Sequence, residues 1–167
     1  MKIVVVGTRG IPDIQGGVET HCEELYPRLA AMGHDVTVVR RSCYITPQNK
    51  IKEYKGVHLK DIYAPRRKSI EAIVHTFLAI IYARWVGADV LHIHAIGPAL
   101  LTPLARLLGL RVVMTHHGPD YDRQKWNKTA KSVLRWGERM GANYANEVIV
   151  ISTAVSYTHL RARETEA

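Results

Sequence analysis

The sequence predicts an α/β fold: a Rossmann-like, doubly wound parallel sheet in a single domain. Three observations point there. Short β-branched runs alternate with longer stretches of helical periodicity, the pattern of a parallel sheet with helices on both faces. The first of these runs, Ile3, Val4, Val5 and Val6, is apolar without interruption, as a strand buried on both faces requires. Finally, 167 residues with 47% apolar and 23% charged composition are enough for one core that needs no disulfide or metal to hold it.

Taken in order, residues 2–6 form the first strand and residues 7–16 a loop. Val18, Cys22, Leu25, Leu29 and Met32 then recur at helical spacing over 17–32, and Gly33 stops the helix. Residues 35–39 are the second strand. Pro47, Gln48, Asn49 and Gly56 mark 42–56 as a loop or hairpin before a third strand over 57–63. A longer helix opens at Ser69, after Arg66, Arg67 and Lys68. Its apolar positions are Ile70, Ile73, Val74, Phe77, Ile81 and Trp85, and Gly87 closes it. A fourth strand over 89–94 leads to a helix over 97–108, with Pro98 in its first turn, Gly109 at its end, and Pro103 expected to kink or delay it. Residues 111–115 form the fifth strand, 129–144 a helix and 147–151 the sixth strand. Crossover connections put the six strands in the order 3-2-1-4-5-6. The stretch 157–167, YTHLRARETEA, continues no helix or strand face; it reads as an exposed tail or as foreign sequence joined near Ser156.

Lysine and arginine number 23 against 15 acidic residues, a net charge of +8, which implies an anionic partner. Nucleotide phosphate, phospholipid and lipid-linked phosphate all fit. Nucleic acid is disfavoured, because aromatics are 7% of the chain and no basic and aromatic stripe occurs. Cys22 and Cys43 have no ligand or redox spacing, which suits a reducing compartment. The apolar start ends at Gly7, too early for a signal peptide, and the nearly uncharged stretch 72–83 is too short to span a bilayer. The expected location is the cytoplasm.

Such sheets bind ligands beyond the carboxyl ends of their strands, which directs attention to three segments. GTRGIPDIQGGVE, residues 7–19, puts Gly16 and Gly17 where the first helix opens, with free N–H groups and a positive dipole end suited to a diphosphate; the same glycines could serve only a tight turn. It is not the dinucleotide fingerprint, since about ten residues including Pro12 separate strand from helix. Arg40 and Arg41 at the end of the second strand could seat a 2′-phosphate or be a solvated basic turn. In DVLHIHAIGP, residues 89–98, His92 and His94 point the same way. In RVVMTHHGPDYDRQKW, residues 111–126, His116 and His117 end a strand. Four histidines invite a zinc reading. It is set aside because no acidic or thiolate ligand has suitable spacing and adjacent strand histidines point to opposite faces. His92 and His116 read as packed core residues, and His117 with Gly118 as a polar contact to substrate.

Together GTRGIPxxxGGVE, HIHAIGP and TxHHGxDYxRxKW resemble the amino-terminal domain of a GT-B glycosyltransferase of family GT4, the group that includes bacterial polysaccharide mannosyl- and rhamnosyltransferases. The resemblance runs over residues 2–156. It implies transfer, with retention, from a nucleotide sugar to a saccharide or lipid-linked hydroxyl acceptor, with no cofactor and no metal required. By position it implies that Gly16 and Gly17 meet the donor diphosphate, that His117 stands beside the transferred sugar as the catalytic residue, and that Asp120, Arg123 and Lys125 line the acceptor side. Trp126 packs or stacks on sugar; Glu19 caps or orients the loop. The family's second Rossmann domain, with its paired glutamates and most of the donor site, is not in this sequence, so the chain alone is expected to transfer little or no sugar.

Alternatives of another class are an NADP-binding oxidoreductase domain, resting on Arg40 and Arg41, and a non-catalytic binding module for the acceptor. The basic start and apolar body of the helix after Ser69 resemble an interfacial anchor, which makes a peripheral contact with the inner face of the membrane an expectation beside the plainer one, that this helix covers the sheet.

Overall fold

The computed structural model describes residues 1–67, 70–118 and 127–151. Strand β1 (Lys2–Val6) is central, and helix α1 (Gly17–Ala31) returns the chain to β2 (Asp35–Arg41). A 3-10 turn at Ser42–Tyr44 leads to a hairpin of β3 (Glu53–Tyr54) and β4 (Val57–Ile62), followed by α2 (Glu71–Trp85) and β5 (Val90–His94). The chain continues through a 3-10 turn at Pro98–Leu101, α3 (Thr102–Leu107), β6 (Val112–His116), α4 (Lys128–Tyr144) and β7 (Glu147–Val150). The sheet order is β3-β4-β2-β1-β5-β6-β7, parallel throughout except for the antiparallel β3. Without β3 this is the order expected from the sequence. The ambiguous stretch before β4 is thus a hairpin arm. Pro103 delays rather than kinks: the 3-10 turn comes first, and α3 starts with this proline in its first turn, where its missing N–H costs nothing.

Alternation along β1 divides the core in two. Ile3 and Val5 join Val36, Val38, Val57 and Leu59 beneath Cys22 and Tyr26 of α1. Val4 and Val6 face the other way, toward Ala79, Ile80 and Ala83 of α2, Ile93, Met114 and Leu134 of α4. Burial of each Val, Ile or Leu contributes about 1.5–3 kcal/mol, which explains the unbroken apolar run of β1. The buried stripe of α1 is Glu19, Cys22 and Tyr26, whereas Met32, expected on the core face, caps the helix at 72% exposure. The helix has turned away from the sheet by then.

Arg40 and Arg41 correct the sequence expectation in both its forms, since neither is solvated nor available to a phosphate. Arg40 is fully buried; its guanidinium donates to Asp61 at 2.6 and 3.1 Å and to the carbonyls of Ile11, Asn49 and Ile51. Arg41 donates to Glu71 at 3.0 Å and to the Gly7 carbonyl at 3.1 Å. Both arginines therefore pin loops and helices around the carboxyl end of β2, and the NADP reading loses its basis.

Gly7 ends β1 at φ +94°, and a Cβ there would strike the backbone carbonyl of His94. Only glycine permits the loop after β1 to turn while pressed against the end of β5. That close approach brings two of the three sequence segments to one place.

Candidate functional site

At the carboxyl edge of β1, β5 and β6, side chains from α1, β5, β6 and the residue just beyond β6 meet. Parallel register puts His92 and His94 of β5 on the α1 face, with their rings stacked 4.3 Å apart at 29°. The Tyr26 hydroxyl of α1 lies between them, 2.6 Å from His92 Nδ1 and within hydrogen-bond distance of His94 Nε2. On the far side His92 Nε2 meets Thr115 Oγ1 of β6 at 2.7 Å. His94 Nδ1 meets Nε2 of His117, just beyond β6, at 2.8 Å. His21 of α1 closes the group, its ring centroid 5.1 Å from that of His117 and 5.8 Å from that of His94.

Burial disfavours the charged form of His92, His94 and His117. It pushes His92 down to about 3 and His117 down to about 4, with repulsion from neighbouring histidines, His21 foremost, adding to the effect. His94, fully enclosed, lies well below the ordinary histidine value for the same reason, reinforced by His92, His117 and His21. Neutral imidazoles on an accessible edge offer both a lone pair and an N–H, which suits hydrogen bonding to hydroxyl groups.

His116 points the opposite way, as alternation requires. Its Nε2 donates to Glu138 Oε1 of α4 at 2.8 Å, and its Nδ1 accepts from the Gly118 N–H at 3.1 Å. The first contact ties α4 to β6, and the second fixes the chain directly after His117. His116 is thus a core residue that positions its neighbour.

Across the edge lies the amino end of α1. Gly16 is the N-cap at φ 148°, supplying no side-chain cap, and its carbonyl accepts from Thr20 N at 3.0 Å. A Cβ at Gly16 would strike the Glu19 carboxylate. That carboxylate is buried and turned back toward the loop, where it accepts from Arg9 N at 3.2 Å, so Glu19 orients the loop. The first-turn N–H groups and the positive end of the helix dipole are left open toward the edge. His21, whose ring meets that of His117, stands about one turn further along the same helix.

A family model described as Glycosyltransferase Family 4 matches residues 15–163. The chain belongs to glycosyltransferase family 4. Its fold is that of sucrose-phosphate synthase from Thermosynechococcus elongatus, 20% identical with a TM-score of 0.74 over 99% of this chain and 45% of that one. A second structure of that enzyme is 14% identical, with a TM-score of 0.60 over 99% of this chain and 100% of its own. The family 4 domain described here therefore spans less than half the length of the first of these structures. No curated protein matches it.

Of the residues singled out in the family 4 sequence, Gly16 and Gly17 open the helix whose His21 ring meets that of His117, while Asp120, Arg123, Lys125 and Trp126 lie outside the described residues, as do Lys68, Ser69 and the 157–167 tail. Sequence reasoning missed His21, Tyr26, Thr115 and Glu138. For Tyr26 a signal existed: it lies four residues after Cys22 on one helix stripe, so it had to face the sheet. Nothing comparable marks His21. Among the described residues, concavities away from this edge include two. One, of about 270 Å³, is bordered by Lys2, Asp35, His58 and Tyr82 at the amino ends of strands, the wrong edge for a ligand in such a sheet. The other, of about 640 Å³, runs along Ser42, Thr46, Lys50 and Asp61.

Proposed function

We propose that this domain is the acceptor-side half of a retaining transferase, which moves a sugar, mannosyl or rhamnosyl, from a nucleotide sugar to a saccharide or lipid-linked hydroxyl in cell-surface polysaccharide synthesis. The observation that supports this best is the open amino end of α1 beside the neutral His117 ring. On this reading the backbone N–H groups at Gly16 and Gly17 face the donor diphosphate, so negative charge developing on the departing phosphate meets a preorganised positive end. His117 holds a hydroxyl of the transferred sugar, while Asp120, Arg123 and Lys125 hold the acceptor. The helix terminus stands where a cation would otherwise be needed, and the transfer takes no metal or cofactor. On this reading most donor contacts come from a second Rossmann domain.

The test is nuclear magnetic resonance with UDP and GDP, added separately to millimolar excess. The amides of Gly16 and Gly17 and the His117 ring should shift with at least one of them. If neither nucleotide moves those signals, or the shifts map to another edge of the sheet, the reading fails.

The working place proposed is the cytoplasmic face of the membrane, and α2 supports it. This helix buries His75, Thr76, Ala79, Ile80 and Ala83 against the sheet. Its opposite face is also apolar: Phe77 and Ile81 are each 45% exposed and Trp85 is 83% exposed, in line with Ile70 and flanked by Arg66, Arg67 and Arg84. Aromatic and aliphatic side chains bordered by arginines match the boundary of an anionic bilayer. Co-sedimentation with phosphatidylglycerol vesicles should fall at least about fivefold in the Phe77→Asp, Trp85→Ser double variant, because each deep apolar anchor contributes about 1.5–3 kcal/mol. Equal binding by that variant would remove the membrane contact.

A further inference from the structure

His21, His94 and His117 each present a ring nitrogen, and these three atoms lie within 4.8 Å of one another. We propose that they form an open, three-nitrogen site for a borderline divalent transition metal of the Zn²⁺ class. The proposal does not depend on the transferase reading, in which the transfer itself takes no metal; a metal on these rings would compete with a sugar hydroxyl for His117.

Spacing, donor chemistry and outer partners all favour it. Zn–N bonds of about 2.0–2.1 Å put tetrahedral ligand atoms about 3.3 Å apart. His94 Nδ1 and His117 Nε2, now at 2.8 Å, need only open slightly. His21 must close by at most about 1.5 Å to reach that spacing, which rotation of a half-buried ring supplies. Three imidazoles with no carboxylate select Zn²⁺, Co²⁺ or Ni²⁺ and reject Mg²⁺ and Ca²⁺. The Glu19 carboxylate is directed at Arg9 and is not among the ligand atoms that meet.

The outer partner is built in. A metal-bound histidine ordinarily donates its other N–H to a fixed acceptor. His94, ligating through Nδ1, keeps its proton on Nε2 and donates it to the Tyr26 oxygen; Tyr26 in turn donates to His92 Nδ1, and His92 Nε2 donates to Thr115 Oγ1. The proton shared between His94 and His117 moves to the outer His117 nitrogen. The two zinc-ready histidines of β5 and the β6 end came from different strands and the third from α1, which is why spacing along the sequence concealed the set.

Calorimetric titration of the chain with ZnCl₂ should give one equivalent, and Co²⁺ should give the visible bands of a tetrahedral centre. His21→Gln and His117→Gln should each lower affinity at least about tenfold; Tyr26→Phe, which keeps every ligand, should lower it about tenfold by removing the outer partner. Among the described residues, two other places could take zinc: the terminal amine beside His34, and His58 beside Asp35. The His34→Gln, His58→Gln double variant should bind as the parent does, and excess Mg²⁺ should not compete. In the unaltered chain, ring-nitrogen resonances of His21, His94 and His117 should be the first to respond to Zn²⁺. Unchanged affinity in His21→Gln, lost binding in the double variant, or a first response at other histidines would each overturn the site.

Discussion

Gly7→Ala should remove most of the stability of this domain. At φ +94° an alanine is strained by about 1–2 kcal/mol before any contact is counted. Its methyl would also meet the His94 carbonyl, with the His94 amide nitrogen 3.0 Å away, and both are backbone atoms of a central strand that cannot rotate aside. Relief requires β1 and β5 to part where Val6 pairs with Ile93. Overpacking of this kind adds about 1–3 kcal/mol, so the total approaches the lower end of the 5–15 kcal/mol that holds a domain together. Urea denaturation followed by circular dichroism should show the midpoint falling by more than half; a midpoint near that of the parent would mean the loop relaxes elsewhere. The same change displaces His94, so the histidine group should lose its order even in molecules that remain folded.

Arg40→Met should cost about 3–5 kcal/mol in the same measurement, the amount typical of removing one partner from a buried ion pair. Methionine replaces much of the volume, so the loss reports on polar groups rather than on a cavity. The carbonyls of Asn49 and Ile51, now at 2.8 and 3.1 Å from the guanidinium, are left without that donor. Asp61 is 33% exposed and regains some water, which places the expected loss toward the lower figure. A near-neutral Arg40→Met would mean that the segment 49–51 does not depend on this anchor.

The fold was legible because its strands are buried on both faces and therefore read as unbroken apolar runs: Ile3 to Val6 could be little else. The order of the six parallel strands followed from crossover handedness. What could not be read was the direction of Arg40. A strand end rich in arginine looks solvated until the hairpin and the loop at 49–51 fold over it, and those contacts lie 9 to 21 residues away. The site divides in the same way. Local geometry disclosed that His92 and His94 share a face and that His116 and His117 do not. The union of His21 and Tyr26 with them depends on how α1 docks on β5, a contact between segments 66 to 73 residues apart, as in Tyr26 with His92 and His94 with His21. Periodicity names the buried stripe of a helix without naming what that stripe will meet.

The string Thr115, His92, Tyr26, His94, His117 has a property that none of its members has alone. Each hydroxyl owns one hydrogen and each neutral ring one N–H, and the Tyr26 hydroxyl lies between His92 and His94. With the buried Tyr26 hydrogen spent inside the string, every link points the same way, and the string then has two senses. Whatever draws the outer nitrogen pair at His94 and His117 into one polarity therefore sets the hydrogen on Thr115, inside the sheet, two strands from α1. The edge and the interior of this domain keep a single handed record, written in proton positions rather than in movement of the chain.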